Sequence, residues 1–210
     1  KLFTRNRLFA AANISAFLNY TSYFGVTFMI SFYLQRVLGL SVLEAGAVLL
    51  IMPITMAILS PISGRFSDRL GSRALSSSGM FIIALGLAWL ATLEVDSPLW
   101  RVEIGLLLLG IGMGIFSSPN TSAVMGSVDK RKLGIASGTL STMRCAGQAT
   151  SLAVMGAIIA TVAGAGSISG LFSGDPSSML VGAEEFVKGM DLAFLVSTFI
   201  AVLGGLTSLA

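Results

Sequence analysis

Residues 64–73, GRFSDRLGSR, separate two apolar runs, 43–62 and 74–93. Each run has the length, about 20 residues, that a helix needs to cross a ~30 Å hydrocarbon core. That core offers no water to a free backbone, so a chain crosses it as helices or as a closed barrel. The two runs therefore read as membrane helices joined by a tight, basic hairpin. Three arginines, one aspartate and two glycines fill its ten positions. Arg65, Arg69 and Arg73 mark a cytoplasmic loop and can pair with carboxylates or helix-end carbonyls. Gly64 permits close backbone approach and Gly71 tolerates φ > 0. Asp68 can accept from the N–H groups of a helix N-terminus.

The same reading gives six spans, at about 8–34, 43–62, 74–93, 104–125, 133–163 and 192–210. Residues 164–190 are rich in Gly and Ser and read as an external loop, within which 178–190 has the sequence for a short interfacial helix. The expected fold is an all-α integral membrane domain, one bundle of six transmembrane helices over 1–210. Composition agrees: 54% of residues are hydrophobic and 11% charged, where a soluble domain carries about 25% charge. With the N-terminus placed inside, nine Lys and Arg fall on the inner side and three on the outer, with Arg144 between. That bias puts both termini in the cytoplasm of a cell-membrane protein.

Three spans carry polar residues in patterns. In the first, Asn13, Tyr20 and Thr27 recur every seven residues, interleaved with Phe17, Phe24 and Ser31, on one helical face. Such a face points away from lipid. It either hydrogen-bonds neighbouring helices or lines a cavity for a small amphipathic molecule. The fourth span holds Gly105, Gly110, Gly112 and Gly114, then Pro119 and Asn120. Gly112, Gly114 and Pro119 read as a hinge beside a cavity wall at Asn120, or the glycines simply let helices pack closely. In the fifth span, Arg144 lies 11 residues past Leu133, about 16 Å along the helix and so near mid-membrane. Burying it there costs on the order of 2.5–3.5 kcal/mol. Gly134, Ser137, Ser141, Arg144, Gln148 and Ser151 step by three and four into one small, polar stripe. No carboxylate is expected at the same depth, so Arg144 needs carbonyls, water, an anionic ligand or an acid outside this chain.

The hairpin resembles the G-x-x-x-D-R-x-G-R-[RK] motif of the major facilitator superfamily, with Ser72 standing where that pattern has a basic residue. FYLQRVLGLSVLEAGAVLLIMP, GIGMGIFSSPNTSAVMGSV, GIASGTLSTMRCAGQATSLAVMGAI and FVKGMDLAFLVSTF look like the last third of the fourteen-helix drug:proton antiporters. The resemblance implies half of a 3+3 repeat fold and a secondary transporter, with proton-coupled multidrug efflux by alternating access. Its first and fourth helices would line the cavity, and its second and fifth would face another bundle.

The opening KLFTRNRLF lacks a Met, so the expectation is a piece of a longer chain whose N-terminal membrane half, or a second copy, completes the transporter. The other partners expected are the lipid bilayer, protons and a hydrophobic or amphipathic small molecule. The alternative is a non-transporting membrane subunit that anchors or regulates a partner. No acid/base pair, nucleophile beside a base or metal cluster is visible, so no catalytic residue and no metal or other cofactor is expected and an enzyme is disfavoured. The single Cys145 lies in an apolar run. The net charge of +3 comes from residues at helix ends, which leaves no face for nucleic acid.

Overall fold

The computed structural model describes residues 6–170 and 176–209; within these, the side chains of 68–70, 163, 165–170 and 176–179 are not described. The described chain is helical, with no strand. Helix α1 is Arg7–Phe32, extended by a π-helical turn Tyr33–Val37. The Asn6 side chain caps it by accepting from the Phe9 N–H at 3.0 Å. Helices α2, Val42–Leu49, and α3, Ile51–Leu70, make one nearly continuous rod. It pauses at Leu50, three residues before Pro53, which has no N–H to give to the preceding turn. A reciprocal Ser41–Glu44 capping box starts α2. Helix α4 is Ser72–Leu90 and α5 is Leu99–Gly126. A 3₁₀ turn, Lys130–Lys132, leads into α6, Leu133–Gly170, which is non-helical at Gly164 (φ 69°, ψ 157°). Helix α7 is Pro176–Leu209.

Two expectations are corrected here. The basic segment 64–73 is not a loop: α3 runs through it to Leu70, and Gly71 alone (φ 86°, ψ 139°) breaks the chain before α4. In the segment 164–190 the described residues 165–170 and 176–190 are helical, the stretch 178–190 included, and α7 begins at Pro176 rather than near 192. At 1.5 Å per residue, α6 runs about 46 Å before its break at Gly164 and α7 about 51 Å, so both outrun a ~30 Å core. Helices can continue past the membrane because water then satisfies whatever polar groups they carry.

Among the described residues, five helical stretches are long and apolar enough to cross a membrane: Val42–Ser67, Ser72–Leu90, Leu99–Gly126, Lys130–Val162 and Leu180–Leu209. The first expected span, α1, is not among them. Five of its polar side chains are enclosed by protein: Asn13, Ser15, Asn19, Thr21 and Ser22 are all buried.

Helix α5 packs along α3 and α4, and α1 packs along α6 and α7; α4 lies against α7, and α6 against α7. The first helix of each three-helix half thus crosses the second helix of the other half. Both crossings use small residues. A Cβ on Gly110 would meet the Met52 carbonyl at 2.7 Å, and one on Gly147 would meet that of Phe17 at 2.6 Å. At the latter crossing the Gly25 N–H donates to Ser151 Oγ at 2.9 Å. The main core joins Val26, Ile30, Ile83, Leu87, Met113 and Phe194, and a smaller one at the Lys130–Lys132 end joins Phe9, Ala16, Val124 and Leu140. Two rods contribute least to these cores: only 17% of the span in Val42–Ser67 and 22% of that in Lys130–Val162 is buried. Ile54, Ile58, Ile62 and Phe66 form the open apolar stripe of α3.

Candidate functional site

Helices α1 and α3 both lean on α5 and scarcely touch each other. The gap between them is a cavity of about 490 Å³, within the usual ligand range of ~300–1,000 Å³. Tyr23, Phe24, Thr27, Phe28 and Ser31 of α1 form one wall. Leu49, Met52, Pro53 and Met56 form the other, and Leu106 of α5 forms the floor. The Phe28 ring stacks obliquely on Phe32, with centroids 5.5 Å apart. Aromatic and Met side chains dominate, an adaptable lining for flat apolar bodies. Thr27 and Ser31 add hydroxyl groups on the α1 side.

Beside the cavity, α1, α5 and α6 meet around Arg144. Its Nη2 donates to Thr121 Oγ1 at 2.8 Å, and its guanidinium lies over the Tyr20 ring, 5.7 Å from the centroid. The Arg144 Nε is buried and bonded to nothing. No ion pair to Arg144 exists among the described residues. Tyr20 in turn packs on Tyr23, with centroids 5.5 Å apart and planes inclined by 48°. One residue before Thr121, Asn120 is also buried, and its amide nitrogen has no partner.

The residues singled out in the sequence divide between these places. Phe24 and Thr27 line the cavity. Tyr20 and Arg144 belong to the neighbouring polar junction, and Asn120 is buried beside Thr121 in sequence. Gln148 is half-buried one helical turn beyond Arg144, and Phe17 is half-buried with its carbonyl accepting from Thr21. Asn13 is elsewhere: it is fully buried, away from the cavity lining, and its amide donates to the Phe9 carbonyl of its own helix. The sequence reading missed Tyr23, Phe28 and the whole α2–α3 wall. Its signal was the Met52-Pro53 step with Met56 one turn on.

Gly112, Gly114 and Pro119 lie in a helix that is continuous from Leu99 to Gly126. The two glycines are crossing points. A Cβ on Gly112 would meet Ile83 Cγ1 at 2.6 Å, and one on Gly114 would meet Leu59 Cβ at 2.8 Å. Gly64 plays the same part against Ser118 Oγ, at 2.8 Å. Arg65 and Arg73 are exposed. The side chains of Asp68 and Arg69 lie outside the described residues.

A family model described as Major Facilitator Superfamily matches residues 1–152. The chain is 34% identical to a riboflavin transporter of Clostridioides difficile over 67% of this chain and 31% of that protein. It is 26% identical to the tetracenomycin C resistance and export protein of Streptomyces glaucescens, over 90% of this chain and 41% of that protein. It is 28% identical to multidrug resistance protein 3 of Bacillus subtilis, over 92% and 38% respectively. The chain spans less than half the length of each of these relatives.

Proposed function

Since the chain belongs to the Major Facilitator Superfamily, we propose that it is the C-terminal six-helix bundle of a fourteen-helix, proton-coupled exporter of amphipathic small molecules. The observation that carries the reading is the cavity of about 490 Å³ between α1 and α3. It is apolar, edged by hydroxyl groups, and flanked by the mid-helix cation Arg144. Such a site holds a molecule by shape and orients it by a few polar contacts. The open faces of α3 and α6 fit a second bundle, supplied by an N-terminal membrane half or a second copy. Alternating access then amounts to the two bundles rocking about a site between them. Close backbone crossings at Gly110, Gly112 and Gly114 keep this half rigid while it moves.

In this reading both termini are cytoplasmic and the protein sits in the cell membrane. The α3–α4 corner, with Asp68, Arg69 and Gly71, steadies one of the two states. A helix N-terminus stabilises an aspartate by about 0.3–1 kcal/mol, enough to shift a near-balanced equilibrium several-fold.

The test is transport by the full-length protein in proteoliposomes with an imposed pH gradient. Dye movement driven by the gradient and abolished by a protonophore is the expected result. Movement that is indifferent to the gradient refutes proton coupling, and no movement of any amphipathic dye refutes the exporter reading.

A further inference from the structure

Resting on the cavity reading above, we infer that the cavity and Arg144 form one site for an amphiphilic organic anion. The flat aromatic body lies against Phe24, Phe28 and Met52, and a carboxylate or phenolate reaches the guanidinium. Two packed rings link the two parts, and Arg144 itself is outside the cavity lining. Tyr23 lines the cavity, its ring packs on Tyr20 at 5.5 Å, and the Tyr20 ring carries the Arg144 guanidinium at 5.7 Å.

The polar bookkeeping of the junction fixes the sign of the ligand. A guanidinium offers five N–H donors and no acceptor. Here one bond, to Thr121, is made, while Nε is buried and unpartnered. The Arg144 Nε lacks an acceptor, and a half-buried cation without a counter-charge makes an anionic acceptor the favoured one. A carboxylate can take a guanidinium in two parallel bonds. The cavity lining holds no Asp or Glu among the described residues, so a cationic drug would find no counter-charge there and would be repelled by Arg144.

Two dyes on the same xanthene nucleus separate the possibilities: fluorescein, an anion at neutral pH, and pyronin Y, a cation. Their equilibrium binding to the detergent-solubilised full-length protein is followed by fluorescence polarisation, with no gradient present. Fluorescein is expected to bind more tightly. Arg144→Gln should weaken fluorescein about tenfold or more, as the loss of a charge-assisted pair does, and leave pyronin Y unchanged or tighter. Arg144→Lys should fall between. On the wild-type protein, naphthoate should displace fluorescein and naphthylmethylammonium should not, so a poorly folding variant does not spare the inference. Tighter pyronin Y binding, equal loss of both dyes in Arg144→Gln, or unchanged fluorescein affinity overturns it. Unchanged affinity is also the outcome if Arg144 pairs with an acid of another bundle. Intact fluorescein binding with no proton-driven transport would refute the exporter reading and leave this site standing.

Discussion

Gly79 of α4 and Gly112 of α5 meet backbone to backbone: a Cβ on either would stand 2.7 Å from the carbonyl oxygen of the other. The contact is reciprocal, so neither helix can relieve a new methyl by moving a side chain. Gly79→Ala and Gly112→Ala should each destabilise the full-length protein by about 1–3 kcal/mol, the usual cost of overpacking. Gly156→Ala, which meets nothing within 4 Å, should be neutral or gain up to about 1 kcal/mol from helix propensity. Thermal unfolding in detergent checks the order; equal midpoints for all three variants would contradict it.

The α3–α4 corner turns on one residue. Gly71 has φ 86° and open space around its Cβ position, so Gly71→Ala should cost about 1–2 kcal/mol through backbone conformation alone. Gly71→Asn should cost less, because Asn tolerates positive φ. The same unfolding assay reads both. If alanine is as well tolerated as asparagine, the corner is not conformationally demanding.

Orientation follows from the charge split. With Cys145→Ser as background, Asp96→Cys and Asp129→Cys place single thiols at exposed positions at opposite ends of α5. An impermeant maleimide on intact cells should label position 96 and spare position 129. The reverse pattern inverts the topology.

Much of this architecture is legible in the chain because apolar runs of spanning length leave little choice of fold. The ends were not. Arg65 and Arg69 looked like loop residues because they are charged, yet a helix can carry charges once it leaves the hydrocarbon, and only Gly71 stops α3. The Gly/Ser content of 164–190 misled in the same way, since among its described residues only Gly164 takes a non-helical conformation. The cavity was half legible. Thr27 and Phe24 stand out as a polar and aromatic face on α1, whereas Met52 and Met56 read like any lipid-facing residue. Apolar periodicity cannot distinguish a wall that faces lipid from one that faces a gap. Asn13 shows the complementary case: a polar residue on the same face can be enclosed by the bundle and bond to its own helix.

Filling the cavity is a direct probe of its use. Thr27 lines it and is exposed, so Thr27→Trp adds bulk without crowding the core. Transport should fall about tenfold or more, equivalent to ~1.4 kcal/mol of lost binding, while the unfolding midpoint stays near wild type. Undiminished transport would mean that the substrate passes elsewhere.

The central claim is that a mid-helix arginine serves transport rather than the stability of its own bundle. Removing the charge removes its burial cost, so Arg144→Leu should insert and fold at near wild-type levels. The decisive measurement is proton-driven dye uptake by inverted vesicles carrying the full-length protein, normalised to membrane content. The account predicts that Arg144→Leu abolishes uptake while Arg144→Lys retains part of it. Wild-type uptake by Arg144→Leu would contradict it and leave the bond to Thr121 as the arginine's whole role.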